Sequence, residues 1–284
     1  MDQPSIESIL ADLKLPAIRY FSTIDSTNAE ASRWIDHGAP HMALVVADEQ
    51  IAGRGRLGRR WVTMPGAGLA FSLVLRSPAV EPNLVSRLTG LGALSVQSSL
   101  NKSFSLDAQI KWPNDVLIDN RKVAGVLVET RWSGEALHSA IIGIGINIAP
   151  ASVSAANLPP AGLNFPATCV EYSTGHPINR LDVLHAVLQE LFSWLPQLSS
   201  AVFLATWEAA LAYRNQWVEL FSGGPSSAAD DMHIATTARE GRLIGLAQDG
   251  SLKLLTSTGT LLIEPFGDIH LKPVQAIQPA QTSA

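Results

Sequence analysis

The stretch Gln50-Ile51-Ala52-Gly53-Arg54-Gly55-Arg56-Leu57-Gly58-Arg59-Arg60-Trp61 sets four arginines within seven positions of a chain whose formal charge is -5. Glycines interleave them, and glycine reaches left-handed backbone conformations without a steric penalty. Guanidinium groups this dense repel one another until phosphate or carboxylate arrives. The stretch therefore reads as an anion-binding loop, mobile when empty and ordered when filled; a solvated surface run is the plainer alternative. Gly53-x-Gly55-x-x-Gly58 also fits the dinucleotide fingerprint, but that motif must open a helix. Pro65, Gly66 and Gly68 follow too soon to allow one. A Walker A loop is absent, so phosphate contact would come from arginine side chains as much as from a helix end.

Three further stretches carry chemistry. Ala108-Gln109-Ile110-Lys111-Trp112-Pro113-Asn114-Asp115 sets Lys111, one of six lysines, between apolar neighbours on a strand that Pro113 must end. A cation fixed at a sheet terminus suits charge developing on a phosphate; a solvated edge lysine is the alternative. In Ile142-Gly143-Ile144-Gly145-Ile146-Asn147-Ile148, period two puts the isoleucines on one face and Gly143, Gly145 and Asn147 on the other. A central strand stripped of side chains on one face implies close approach by a ligand, with Asn147 placed to hydrogen-bond it, or by a tightly packed helix. Asp25-Ser26-Thr27-Asn28-Ala29-Glu30 reads as a helix start, with Thr27 and Glu30 as a capping box, and its hydroxyls beside free N–H groups can receive a carbonyl or an anion.

These residues need a scaffold. At 284 residues and 46% hydrophobic, the chain can bury a full core and reads as one large domain plus a small one. Residues 1–15 form an amphipathic helix with Ile6, Ile9, Leu10 and Leu13 inward. Strands are predicted over Arg19–Ile24, Met42–Ala47, which delivers Gln50 to the site mouth, and Leu69–Arg76. Pro82 opens a helix to about Leu100. Val116–Ile118 and Lys122–Glu129 make a hairpin about Asp119-Asn120. Pro150–Pro166 is a surface connection, followed by helices over Asn179–Leu195 and Ala201–Leu211. From Trp217 the texture changes to five short strands, Trp217–Phe221, Met232–Thr237, Arg242–Ala247, Ser251–Leu255 and Leu261–Ile263, a small barrel or meander. Residues 276–284 are expected to be disordered. The whole reads as α+β, a mixed sheet packed by helices. One cysteine, Cys169, excludes an internal disulfide, and no apolar run spans a bilayer, so a soluble cytoplasmic protein is expected. The acidic balance argues against a broad nucleic-acid face. The scattered histidines give no zinc spacing, and no Gly-x-Ser-x-Gly elbow or cysteine with an evident base supports covalent catalysis.

With these pieces in place, the sequence resembles the biotin–protein ligases. The carrying motifs are Asp-Ser-Thr-Asn at 25–28, Gln-x-Ala-Gly-Arg-Gly-Arg-x-Gly-Arg-x-Trp at 50–61, Lys-Trp-Pro-Asn-Asp at 111–115, Gly125 within Lys122-Val-Ala-Gly, and Gly-x-Gly-x-Asn at 143–147, in the family's order and spacing. The resemblance implies a biotin- and ATP-binding catalytic domain over 1–212 and an SH3-like β-barrel over 213–275, without the N-terminal helix-turn-helix repressor domain of some bacterial members. It implies formation of biotinoyl-5'-AMP from biotin and ATP with Mg²⁺, then transfer to a lysine of a biotin carboxyl carrier protein, an acetyl-CoA carboxylase subunit. DNA and membrane partners are not expected. A homodimer, and the metal ligands, are left open.

Carried onto matching positions, Lys111, Arg56 and Asp115 are implied as catalytic, Lys111 bridging the biotin carboxylate and α-phosphate. Asp115 would either orient the carrier lysine or support its turn. Ser26, Thr27, Asn28, Gln50, Gly53, Arg54, Gly55, Arg56, Lys111, Gly125, Gly143 and Gly145 are implied at biotin. Arg56, Arg59, Arg60, Trp61, Lys111, Asn114 and Asn147 are implied on the nucleotide side, Trp61 as an aromatic wall. Lipoate or octanoate transfer on the same fold is one rival, and a biotinoyl-adenylate sensor or repressor without turnover is another.

Overall fold

A computed structural model describes residues 1–76, 81–154, 166–222, 239–265 and 269–273. The chain divides into two compact units, Met1–Ala212 and Tyr213 onward.

In the first unit a helix α1 (Gln3–Ile9) precedes strand β1 (Ile18–Ile24), helix α2 (Thr27–Asp36), and strands β2 (Leu44–Gln50) and β3 (Gly68–Arg76). Helix α3 (Arg87–Phe104) leads into the strands β4 (Ala108–Lys111), β5 (Asp115–Ile118), β6 (Arg121–Ser133) and β7 (Ala136–Asn147). Helices α4 (Val170–Thr174), α5 (Arg180–Trp194) and α6 (Ala201–Ala209) complete it. The seven strands form one mixed sheet in the order β1-β2-β3-β7-β6-β5-β4, antiparallel except for β1 beside β2. Asp119 and Asn120 both take left-handed φ, the requirement of the tight turn predicted there.

Helices cover both faces. Ala31, Trp34 and Ile35 of α2 pack on Val45, Val74 and Ile141, the apolar burial worth about 1.5–3 kcal/mol for each large side chain. On the opposite face α3 comes so close that a Cβ on Gly92 would lie 2.8 Å from Val126 and 3.2 Å from Ile142. The isoleucine face of β7 is thus core, as its period required. At the sheet's β4 edge, Ile110 exchanges backbone hydrogen bonds with Ala210 and Ala212, which covers an otherwise open strand.

Several elements differ from expectation; the first helix ends at Ile9, short of residue 15, and β6 runs past Glu129 to Ser133. Pro82 opens only a short 3-10 turn, and the helix proper starts at Arg87. Strand β2 starts two residues later than predicted, since Met42 is left-handed, and runs on through Gln50. The short helix α4 lies in a stretch given no element.

The second unit is a five-stranded antiparallel sheet, β8 (Trp217–Ser222), β9 (Arg239–Leu246), β10 (Leu252–Leu255), β11 (Leu261–Glu264) and β12 (Ile269–Pro273), in the order β11-β10-β9-β8-β12. Strand β12 was not anticipated. The strand predicted at Met232–Thr237 and the tail at 276–284 lie outside the described residues.

Candidate functional site

Register, more than any single motif, assembles the site. Residues paired across a ladder share a face. Lys111 pairs with Asp115, Asp115 with Gly125, Gly125 with Gly145, Gly145 with Ala70, and Ala70 with Ala47. One row thus crosses six strands, charged at one end and without large side chains over the rest. The next row holds Leu127, Gly143, Ser72 and Val45.

Two different elements lie over the bare stretch. A Cβ on Gly143 would strike the Asn28 side chain at the start of α2, and one on Gly145 would strike the Trp61 indole. The helix alternative is therefore right at 143, whereas at 145 the cover comes from the arginine loop. That loop folds back on itself: Gly55 N–H donates to Arg59 O (2.7 Å) and Trp61 N–H to Gly53 O (2.9 Å), and Leu57 and Gly58 turn the tip with left-handed φ of 61° and 70°.

The charged end gathers residues far apart in sequence. Lys122 Nζ lies 2.5 Å from Asp115 Oδ1 and 5.4 Å from the centre of the Trp61 ring, and only 3.2 Å from where a Gly125 Cβ would stand. Arg56 donates to Asn114 Oδ1 (3.1 Å), and Asn114 in turn donates to Val126 O (3.1 Å) and accepts from Val126 N–H (2.9 Å). Lys111 is buried, 8% exposed. Burial alone would push the Asp115 carboxyl up, but Lys122, Lys111 and Arg56 around it hold it below its usual range, so it is ionised at neutral pH.

The other end is neutral. Gln50 Oε1 accepts from Thr27 N–H (2.9 Å) and lies 3.1 Å from its hydroxyl, and Gln50 Nε2 donates to Thr63 Oγ1 (3.0 Å). The Ser72 hydroxyl lies 2.8 Å from Thr27 Oγ1 and 2.6 Å from Asn28 Oδ1. Ser26, Thr27, Asn28, Gln50 and Thr63 are all buried. The predicted capping box does not form: Ser26 is the N-cap residue and makes no side-chain cap bond, the Thr27 hydroxyl is in the site network, and Glu30 turns to Arg19 (2.9 Å) and Arg33 (3.0 Å).

Comparison with known proteins places this arrangement. Residues 20–147 match the model of the biotin/lipoate A/B protein ligase family. A biotin–[acetyl-CoA-carboxylase] ligase of Paracoccus denitrificans is 38% identical over 190 residues, 66% of this chain and 77% of that protein. The chain belongs to this family. A bifunctional ligase/repressor BirA of Bacillus spizizenii is 37% identical over 169 residues, 60% of this chain but 50% of that protein, so the chain matches about half of this longer relative. Among solved structures, a biotin protein ligase from Aquifex aeolicus in complex with biotin and ATP superposes with a TM-score of 0.72 at 29% identity, covering 91% of this chain and 100% of that one.

Of the site residues implied by family resemblance, Arg56, Trp61, Lys111, Asn114, Asp115, Gly125 and Gly145 meet at the charged end, and Thr27, Asn28, Gln50 and Gly143 at the neutral one. Gly53 is held within the loop hairpin, where a Cβ would strike Trp61 O, and Gly55 and Arg59 form its inner backbone bond. Two arginines are directed to the rim: Arg54 to Glu129 (3.0 Å) and Arg60 to the Ile51 carbonyl (2.7 Å). Asn147 donates to Thr168 O (3.1 Å) and so pins the segment entering α4. Lys122, Ser72, Thr63 and Glu129 were missed as site residues. The signal for Lys122 was its place three residues before Gly125; Ser72 is visible only through register. Among the described residues no group of three His, Cys, Asp or Glu side chains forms a metal cluster, and no helix is long and apolar enough to cross a membrane.

Proposed function

We propose that this chain condenses biotin with ATP to biotinoyl-5'-AMP and passes the biotinoyl group to a lysine of a biotin carboxyl carrier domain. The observation that carries the reading is the single row Lys111–Asp115–Gly125–Gly145–Ala70, with Lys122 over its charged end and a cluster of buried neutral polar groups beside its other end. From Ser72 on β3 to Asp115 on β5 is three strand spacings, about 14 Å. That span suits a ligand with a neutral polar ring system, a flexible apolar stem and a terminal anion.

In this reading Thr27, Asn28, Gln50 and Ser72 supply donors and acceptors to the biotin ring, and the stem passes over Gly143 and Gly145 once the Asn28 side chain and the Trp61 indole that cover them move aside. The carboxylate and the α-phosphate, which repel, meet beside Lys122, Lys111 and Arg56. A biotin carboxylate oxygen attacks the α-phosphorus while the bond to the β-phosphate breaks, and pyrophosphate leaves with the electron pair. Charge added to the equatorial oxygens is met by cations already in place, so positioning supplies most of the rate. Mg²⁺ carried on the nucleotide's phosphates would add charge neutralisation there, with Asp115 the carboxylate at this end of the site that could help to hold it. In the second half, the neutral amine of the carrier lysine attacks the acyl carbon, the bond from that carbon to the AMP phosphate oxygen breaks with its electron pair leaving on AMP, and the surplus amine proton passes to water. Trp61 and the arginine loop shield the mixed anhydride from water until then. The reading includes a catalytic role for residues 1–212, an SH3-like barrel after Tyr213, supported by the five-strand order of that unit, and a cytoplasmic location.

The test is labelled biotin, ATP and a purified carrier domain. Labelled carrier together with pyrophosphate release is expected. Adenylate without transfer would make the chain a sensor, and indifference to biotin with use of lipoate would move it to the sister activity; either overturns the proposal.

A further inference from the structure

Glu129 belongs to none of the motifs, yet it joins two of them. Its Oε2 accepts from Asn28 Nδ2 at 2.8 Å and from Arg54 Nη2 at 3.0 Å. Asn28 is the residue over Gly143, and its Oδ1 is the neighbour of Ser72. The bonds continue through Thr27 and Gln50 to Thr63, which lies just beyond the arginine loop and bridges back to Gln50. Arg54 stands at the loop's other end, where it bridges to Arg60. The polar groups therefore run from one end of the loop, through the floor of the neutral pocket, to the other end.

We propose that Glu129 is a positioning residue that couples occupancy of the neutral pocket to closure of the arginine loop. One oxygen serves both donors, so any turn of the Asn28 amide toward a ligand changes the acceptor geometry seen by Arg54. The loop is then held by two ties whose strength depends on what fills the pocket between them, and not by charge attraction to phosphate alone. Glu129 touches no reacting atom in this scheme. The inference rests on the biotin reading above, and wild-type behaviour separates the two: absence of adenylate formation in the wild type defeats that reading, whereas the results below defeat only this one.

The experiment uses the full chain and trypsin, which cuts after the loop arginines. Biotin alone is expected to protect Arg54–Arg60 in the wild type. Glu129→Gln keeps the shape but weakens the tie to Arg54, and at saturating biotin it should lose about three- to fivefold of that protection, the size of a half-exposed charged hydrogen bond. Hydrolysis of the adenylate without carrier should rise by a similar factor, with the melting midpoint nearly unchanged. Arg54→Gln reads the same tie from its other side and carries the test should Glu129→Gln fold poorly. Because the pair acts as a unit, the double variant should leak no faster than either single one. Protection in Glu129→Gln equal to the wild type, or multiplicative effects in the double variant, would overturn the coupling.

Discussion

The two ends of the small-residue floor are built on opposite principles. Around Thr27 every group is neutral, buried and hydrogen-bonded to another protein group, so a ligand there must exchange bonds one for one. Around Asp115 the groups are charged: Lys122 pairs with the carboxylate, and Lys111 and Arg56 add to the positive field that keeps it ionised. In the proposed reading, recognition and charge neutralisation are thus separated in space. A substitution at one end should alter binding of the ring, and one at the other the rate of bond making.

The largest expected effect probes the charged end. Lys122→Met keeps the apolar stem and removes the ammonium; adenylate formation at saturating biotin, followed by pyrophosphate release, should fall about 10²- to 10³-fold. A loss expressed only in the KM for biotin would erase the contrast between the ends. Gly143→Ala comes next, because its methyl group meets the Asn28 side chain. We expect an approximately tenfold higher KM for biotin with kcat within about twofold, as for a change in uniform binding. Gln50→Leu should act in the same direction by about five- to tenfold, since it leaves the Thr27 N–H and the Thr63 hydroxyl without their partner. Raising salt should weaken the nucleotide-side parameters more than the KM of these variants for biotin, whose single carboxylate is the smaller charge, a comparison that needs only steady-state kinetics.

The smallest effect concerns the approach to the neutral end. Arg33 grips Asp25 with both terminal guanidinium nitrogens and, with the Ser26 N–H, lowers the Asp25 carboxyl to about 2. A carboxyl lowered on folding adds stability above its ordinary value of 3.8 and loses it as pH falls through the folded one. The midpoint of thermal unfolding should therefore drop for the wild type between about pH 4 and pH 2, and Asp25→Asn should drop less steeply there. Parallel curves would remove Asp25 from acid sensitivity. The site beyond it should keep its biotin KM at neutral pH.

Sequence reading was strongest where a local rule leaves one answer. Alternation made the bare face of β7 visible, and Asp119-Asn120 announced its hairpin through two residues tolerant of left-handed φ. It was weakest where tertiary partners decide. Thr27 and Glu30 satisfy a capping rule, yet Gln50 and Ser72 offer the threonine hydroxyl a buried network while Arg19 and Arg33 draw Glu30 away. Ser72 lies in a strand buried along nearly its whole length and becomes a site residue only because β3 lies beside β7. Lys122 is brought to Asp115 by the pairing of β5 with β6, where the register slips between Val116 and Leu117. No periodicity encodes that slip. The C-terminal sheet shows a related limit: β12 pairs with β8, about fifty residues earlier, and its alternation, Ile269-His270-Leu271-Lys272, is cut short by Pro273.

A floor of bare backbone also constrains how such a pocket can change. Peptide groups committed to ladder hydrogen bonds have no side chain to exchange, so mutation cannot re-tailor the underside for a differently shaped acid without filling it. Novelty must arrive from above, through the indole of Trp61, the first turn of α2 and the carboxamide of Gln50, each change there having to replace the contacts those groups now make. In the proposed reading, selectivity among cofactor acids would therefore be set by the roof, with space over the glycines only where Asn28 and Trp61 withdraw.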